Sequence, residues 1–293
     1  MDLGRVITAM VTPMNSDFSV NYDKAQELAG WLLENGSDAL VVTGTTGESP
    51  TLQQQEKLKL YAAVGEVCHG AGKPLVAGTG SYDTAKTVEL SKMAEAMGAD
   101  AILAVTPQYN KPPQEGLYRH FKKVASAVSI PVIAYNVPAR TSVNLEPDTV
   151  KRIASLDNVI GIKEASGNLD QMSQMLRLTP PDFYVYCGDD YLALPALALG
   201  ASGVISVASH IIGREMQEMV SAFERGDNAA AAELHLRNYP AYKTLFIRTS
   251  PIPVKYALNR MGVDVGPCRM PLVELDGEAR ARVDQLLRDL GRI

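Results

Sequence analysis

VIGIKEA, residues 159–165, is a short apolar run that stops at a lysine. The run does not alternate between apolar and polar positions, as a strand with one solvated face would. Continuous apolar runs are typical of parallel strands that are covered on both faces. Eight runs of this kind occur along the chain, and we predict strands at 6–11, 39–43, 75–78, 101–105, 132–136, 159–163, 184–187 and 203–207.

Segments with helical periodicity and helix-stop signals separate these runs. We predict helices at 21–34, 82–97, 115–128, 168–178 and 215–224, and a further helix that begins at Thr51 with a capping box to Gln54. Alternation of buried strands and helices indicates a parallel sheet, and eight units fit a (β/α)8 TIM barrel. A doubly wound open sheet is the alternative, but no glycine-rich nucleotide-binding fingerprint follows any strand.

The strand signal ends near residue 225. Helical patterns at 227–246, 253–261 and 276–290 predict a C-terminal helical extension without a flexible linker before it. The sequence therefore predicts an α/β protein in two parts. Residues 1–225 form a catalytic barrel domain, and residues 226–293 form a helical domain that packs on it.

Composition and net charge limit which binding partners and which cellular compartment are expected. The net charge is −5 with no basic cluster, so nucleic acid is not an expected partner. The three cysteines are widely spaced and odd in number, which favours a reducing cytoplasm over a disulfide framework or zinc site. Neither a signal peptide nor a membrane span is expected, because the apolar stretch 192–212 is repeatedly interrupted. No clustered histidines, cysteines and carboxylates suggest a metal, and no cofactor is expected.

The carboxyl ends of the strands are where barrels of this kind place their chemistry. The residues found at these strand ends are Thr45-Thr46 after the second strand, Tyr109 after the fourth, Tyr135 and Arg140 at the fifth, Lys163 at the sixth, and Gly188-Asp189-Asp190 after the seventh. An amine in apolar surroundings is disfavoured as the ammonium ion, and a neutral amine can attack a ketone to form an imine. Strand alternation directs Glu164 to the opposite face, away from that amine.

Each of these residues also has a simpler interpretation. Lys163 can be a solvated residue at a strand end, and Thr45-Thr46 a turn of the kind common in α/β proteins. Tyr135 can be a core residue and Arg140 a surface residue. Their coincidence at neighbouring strand ends favours an imine-forming site, in which Tyr135 shuttles a proton and Arg140 binds a carboxylate.

Nine motifs in order make the chain resemble the dihydrodipicolinate synthase family, within the N-acetylneuraminate lyase superfamily of class I aldolases. They are AMVTPM at Ala9, GTTGESPTL at Gly44, AGTG at Ala77, TPQYNKPPQEGLYRHF at Thr106, YNVPART at Tyr135, GIKEASGNL at Gly161, GDD at Gly188, GVISV at Gly203 and PIPVKYAL at Pro251. The resemblance runs nearly end to end.

The resemblance implies a lyase that condenses pyruvate with L-aspartate 4-semialdehyde through a Schiff base on Lys163, in lysine and diaminopimelate biosynthesis. It implies a proton relay of Tyr135, Thr45 and Tyr109, the last reaching into a neighbouring subunit. Thr46 would bind the pyruvate carboxylate and Arg140 that of the semialdehyde. Gly188 and Ile205 would line the pyruvate pocket. A homotetramer built as a dimer of dimers is implied, although some family members are dimers.

Two alternatives to this activity stay open. Imine chemistry on a 2-keto-3-deoxy sugar acid or sialic acid would use the same lysine and tyrosine, although Thr45 and Arg140 favour the synthase. A non-catalytic protein on the same scaffold would be expected to lose Lys163 or Tyr135.

The sequence departs from feedback-inhibited members of the family at the positions where they bind lysine. Those positions hold Gln54, Lys57, Lys86 and Gln108. Because two lysines there would repel the effector's ammonium groups, weak or no inhibition by L-lysine is expected.

Overall fold

Eight parallel strands close into a barrel in the computed structural model, which describes residues 2–293. Each strand pairs with the next, and the eighth returns to the first through Val6↔Val204 and Ile7↔Ile205. The strands are β1 Val6–Ala9, β2 Ala39–Val42, β3 Leu75–Gly78, β4 Ala101–Val105, β5 Val132–Asn136, β6 Val159–Glu164, β7 Tyr184–Cys187 and β8 Gly203–Ser206. The predicted (β/α)8 barrel is confirmed, and the closed strand order excludes the open doubly wound sheet.

Helices follow the strands and cover the barrel. They are α1 Tyr22–Glu34, α2 Gln54–Gly70, α3 Thr84–Ala96, α4 Gln114–Ala125, α5 Pro138–Thr141, α6 Pro147–Ile153, α7 Leu169–Leu178, α8 Ala193–Leu199 and α9 Ser209–Glu224. The chain then forms α10 Asn228–Thr244, α11 Ile252–Arg260 and α12 Gly277–Asp289. α10 packs on α9, and α11 packs on both α9 and α12.

Two apolar layers hold this arrangement together. One fills the barrel interior and includes Ile7, Val41, Ile133 and Ile205. The other lies between the strands and the surrounding helices. Because successive strand residues face opposite layers, both faces of each strand are buried, which explains the continuous apolar runs in the sequence. Each fully buried aliphatic side chain contributes about 1.5–3 kcal/mol.

Several element bounds differ from the predicted ones for local reasons. β2 ends at Val42 because Thr43 has a left-handed backbone with φ +54°. The capping box of α2 joins Gln53 and Glu56, not Thr51 and Gln54, because a short 3-10 turn occupies Ser49–Thr51. β1 and β8 also end one or two residues earlier than predicted, β6 extends to Glu164, and the short helices α5 and α6 were not predicted.

Candidate active site

Lys163 lies at the carboxyl end of β6 and is 5% exposed. The strand register sets it beside Tyr135 of β5 on one side and Tyr186 of β7 on the other. Its Nζ atom lies 4.6 Å from the centre of the Tyr135 ring. Within residues 2–293, no carboxylate oxygen comes within 4.0 Å of that nitrogen. The amine is therefore buried beside a phenol without a direct ionic partner.

Glu164, the next residue, faces the other layer, as strand alternation predicts. Its carboxylate accepts hydrogen bonds from Asn136 Nδ2 at 2.9 Å, from the Ser166 backbone N–H at 2.9 Å and from Gln171 Nε2 at 3.2 Å. Burial raises the pKa of this carboxyl, and the hydrogen bonds oppose that shift. The acid is held by the β6–α7 connection and leaves the Lys163 amine free.

Gly188 leaves room for the lysine side chain. A Cβ atom at this position would stand 2.6 Å from the Ala165 Cβ atom and 3.0 Å from the Lys163 Cε atom. Any other residue would displace the end of β6 or the lysine stem. Ile205 on β8 is 1% exposed and belongs to the interior layer. Gly188 follows β7, and Ile205 lies on β8, as the sequence predicts.

Two acidic residues after β7, Asp189 and Asp190, lie within electrostatic range of Lys163. Burial raises the pKa of both carboxyls, and the positive charge of Lys163 opposes the shift. Asp190 accepts hydrogen bonds from the backbone N–H groups of Val207 at 3.2 Å and Ala208 at 2.9 Å. The sequence placed this pair at a strand end but gave it no role. Their position at the strand tip was the only available signal.

The turn after β2, residues 43–48, carries Thr45 and Thr46. Its first and last residues, Thr43 and Glu48, have left-handed backbones with φ +54° and +57°. Such conformations are strained for residues other than glycine, at about 1–3 kcal/mol each. Thr45 is half-buried, and Thr46 is 5% exposed. The surrounding contacts must therefore impose this shape on the turn.

A cavity of about 640 Å³ opens at the carboxyl ends of β2 to β5. Thr45, Tyr135 and Arg140 line one part of it, and Arg140 is an exposed residue of α5. The same cavity is also lined by the residues at the positions expected to bind an effector, Gln54, Lys57, Lys86 and Gln108. Lys163, Thr46, Gly188 and Ile205 are not part of this wall.

Tyr109, the remaining predicted catalytic residue, is set apart by its exposure. It is 92% exposed and has a left-handed backbone with φ +71°. Unlike Thr45, Tyr135 and Arg140, it does not line the cavity.

Among residues 2–293, no three histidine, cysteine or acidic side chains are grouped so that they could hold a metal ion. None of the helices in that part of the chain is both long and apolar enough to cross a bilayer.

The model of the dihydrodipicolinate synthetase family matches residues 2–290. The chain belongs to this family. Curated relatives agree over the whole length. A 4-hydroxy-tetrahydrodipicolinate synthase of Desulforamulus reducens is 50% identical, over 99% of this chain and 98% of that relative. One of Listeria monocytogenes serotype 4a is 51% identical over the full length of both.

Solved structures of family members have the same fold. A dihydrodipicolinate synthase from Bacillus anthracis superposes with a TM-score of 0.96 at 45% identity, covering 98% of each chain. One from Cyanidioschyzon merolae, crystallised with lysine bound, gives 0.98 at 42% identity, covering 99% of each. The chain therefore has the complete barrel and the C-terminal helices of these family members.

Proposed function

We propose that the chain condenses pyruvate with L-aspartate 4-semialdehyde to give 4-hydroxy-tetrahydrodipicolinate, a step of lysine and diaminopimelate biosynthesis. The observation that carries this proposal is the Lys163 amine, buried beside the Tyr135 ring at 4.6 Å without a carboxylate partner. Family membership along the whole chain and relatives that are named as this synthase support the same reaction.

The amine of Lys163 attacks the ketone carbon of pyruvate and forms a carbinolamine. Tyr135 passes a proton to the carbinolamine oxygen, which leaves as water and gives a protonated imine. Loss of a proton from the methyl group yields an enamine, and its carbon attacks the aldehyde carbon of the semialdehyde. The substrate's amino group then attacks the imine carbon, closes the ring and releases Lys163.

The proton relay in this proposal consists of Tyr135, Thr45 and Tyr109. Thr45 shares the cavity wall with Tyr135, which supports the first link. The exposed, left-handed Tyr109 suits a residue that completes the site of a second copy. We therefore propose a homotetramer, a dimer of dimers, in a cytoplasmic enzyme whose barrel domain is residues 1–225 and whose helical domain is residues 226–293.

Four residues bind the substrates in this proposal. Thr46 holds the pyruvate carboxylate through its hydroxyl and backbone N–H, while Gly188 and Ile205 shape the pocket around the methyl and keto groups. Arg140, exposed at the cavity wall, binds the carboxylate of the semialdehyde in a bidentate pair. The net charge of −5 does not oppose anionic substrates, because Lys57, Lys86 and Arg140 surround the cavity.

Substrate competition tests this function against imine chemistry on sugar acids. Purified protein is given pyruvate with L-aspartate 4-semialdehyde, and separately a 2-keto-3-deoxy sugar acid or sialic acid. We expect turnover of the first pair with kcat/KM above about 10⁴ M⁻¹s⁻¹ and little cleavage of the others. Efficient sugar-acid cleavage with no turnover of the semialdehyde would replace the proposal with the aldolase alternative.

A further inference from the structure

Buried polar contacts fix the 43–48 turn along its length. At its start, Thr43 Oγ1 donates to the Gly78 carbonyl at 2.8 Å and lies 3.0 Å from the Tyr61 hydroxyl. In its middle, the Gly47 carbonyl accepts a hydrogen bond from Thr12 Oγ1 at 2.7 Å. A Cβ atom at Gly47 would lie 3.0 Å from the Thr43 backbone nitrogen, so the turn is also tightly folded.

The end of the turn is held by an ion pair that is almost completely buried. Glu48 Oε1 lies 3.0 Å from Lys255 Nζ, and the two side chains are 1% and 2% exposed. The other carboxylate oxygen, Oε2, accepts a hydrogen bond from the Arg269 backbone N–H at 2.7 Å. The left-handed backbone of Glu48 is therefore fixed through its side chain, two residues after Thr46.

Lys255 joins four segments of the chain through one nitrogen. Besides Glu48, its Nζ donates to the Thr12 carbonyl at 2.9 Å and to the Pro267 carbonyl at 2.5 Å. Thr12 follows β1, Lys255 lies on α11, and Pro267 belongs to the connection between α11 and α12. All three ammonium hydrogens thus have oxygen acceptors. The C-terminal helices are connected in this way to the end of β2, 207 residues earlier.

We infer that the buried Glu48–Lys255 pair is a positioning device for the 43–48 turn, which sets Thr45 and Thr46 for reaction at Lys163. The inference rests on the proposed function, because it assigns these threonines a part in the pyruvate chemistry. Neither Glu48 nor Lys255 lines the cavity, so both act through the turn. The C-terminal helical region is accordingly part of what makes the barrel competent, although it supplies no catalytic group.

An apolar pair of the same volume could not take over this role. Buried ion pairs are often replaceable by apolar residues at no cost to stability. Here, however, such a replacement would leave the Thr12 and Pro267 carbonyls and the Arg269 N–H without their partners. It would also release the side chain that fixes the strained backbone of Glu48. A displacement of a positioned group by about 1 Å can lower the reaction rate about 100-fold.

The test uses the assembled protein and four variants: Glu48→Gln, Lys255→Met, their double, and Leu287→Ala as a matched control. Leu287 is a fully buried residue of α12 whose truncation weakens the same C-terminal region without touching the turn. Two quantities are measured below every unfolding transition. One is kcat/KM for pyruvate. The other is hydrogen–deuterium exchange of peptides that cover residues 43–49, which does not depend on activity.

We expect Glu48→Gln and Lys255→Met each to lower kcat/KM about 10- to 100-fold. The double variant should lose no more kcat/KM than the less active of the two single variants, because the pair acts as a unit. Exchange in the turn should accelerate at least about tenfold. Leu287→Ala should lower the unfolding temperature but leave both quantities within about twofold of the parent.

Exchange at the parent rate in both single variants would overturn the inference, as would kcat/KM values within twofold of the parent or losses that add in the double. Should Lys255→Met fail to fold, Glu48→Gln decides, because it keeps the volume and one acceptor oxygen. A parent protein without any activity on pyruvate would instead refute the proposed function, and the exchange measurement would still decide whether the pair holds the turn.

Discussion

Two buried lysines at the carboxyl end of the barrel have opposite surroundings. Lys255 is 2% exposed and is surrounded by oxygen atoms of Glu48, Thr12 and Pro267 at 2.5–3.0 Å. Lys163 is 5% exposed, yet its Nζ atom lies 4.6 Å from the centre of the Tyr135 ring, and Asp189 and Asp190 act on it only through their charge.

The difference shows that burial alone does not make a lysine reactive. Every hydrogen on the Lys255 nitrogen is engaged, so this group cannot approach a ketone without breaking three contacts and leaving a buried carboxylate unpaired. Lys163 lies beside a phenol, and no carboxylate oxygen of residues 2–293 comes within 4.0 Å of its nitrogen. We therefore expect Lys255 to stabilise the fold and Lys163 to carry the covalent chemistry.

Replacing Lys163 should have the largest effect on activity. Lys163→Arg keeps a cation but removes the only amine able to form the imine, so kcat should fall at least about 1000-fold. Steady-state kinetics with pyruvate and the semialdehyde measure this, with circular dichroism confirming the fold. Turnover at the parent rate would remove the basis for contrasting the two lysines.

The free energy of unfolding should instead depend more on Lys255 than on Lys163. Lys255→Met leaves Glu48 buried without its partner and should lower the free energy of unfolding by about 3–5 kcal/mol. Lys163→Met removes no direct partner and should change it by less than about 1 kcal/mol. Urea unfolding of both variants at neutral pH gives the two values. Equal losses would mean that both lysines serve the fold.

His210 extends the comparison to pH, because it also joins strand ends through buried contacts. Its Nε2 atom accepts a hydrogen bond from the Val11 backbone N–H at 3.1 Å, and Nδ1 lies 2.8 Å from the Val207 carbonyl oxygen. Burial lowers the pKa of His210 to about 4, against 6.5 for an unperturbed histidine. Below pH 6.5 the unfolded chain therefore binds a proton that the folded chain does not.

The stability that His210 contributes should consequently be present above pH 6.5 and be lost as the pH falls from 6.5 to 4. The loss is about 1.4 kcal/mol per pKa unit, up to roughly 3 kcal/mol. Unfolding curves of the parent and His210→Gln should converge over this interval. Asp190, with its raised pKa, has the opposite pH dependence but is present in both proteins. A difference that does not vary with pH would contradict the assignment.

The smallest effect is expected from free L-lysine. Lys57 and Lys86 line the cavity together with Gln54 and Gln108, and burial lowers the pKa of Lys57. These lysines would repel an added ammonium group, unlike an acidic pocket. Millimolar L-lysine should leave the initial rate within about twofold of the control. Strong, saturable inhibition at low lysine would show that the cavity accepts the cation.

Much of this contrast could be predicted from local sequence. Apolar runs predicted the eight strands, and the rule about strand ends selected Lys163, Tyr135, Thr45 and Arg140 as candidates, whose roles stay predictions. Alternation correctly turned Glu164 away from the amine. These features depend on the backbone period of two and on the rule that parallel strands meet at one edge.

The remaining features depend on contacts between distant segments. Glu48 and Lys255 are 207 residues apart, and nothing in the sequence near either residue indicates the other. The capping box was misplaced because a 3-10 turn shifts the start of α2. Tyr109 is exposed in the single chain, so its proposed role depends on a second copy that the chain's own fold does not supply.

Trapping of the imine tests the central claim most directly. The protein is incubated with pyruvate and sodium borohydride, digested, and mapped by mass spectrometry, with a sample without pyruvate as the control. We predict one reduced pyruvate unit per chain, on the peptide that contains Lys163, and none on the peptide that contains Lys255. An unshifted mass, or an adduct on any lysine other than Lys163, would contradict the account.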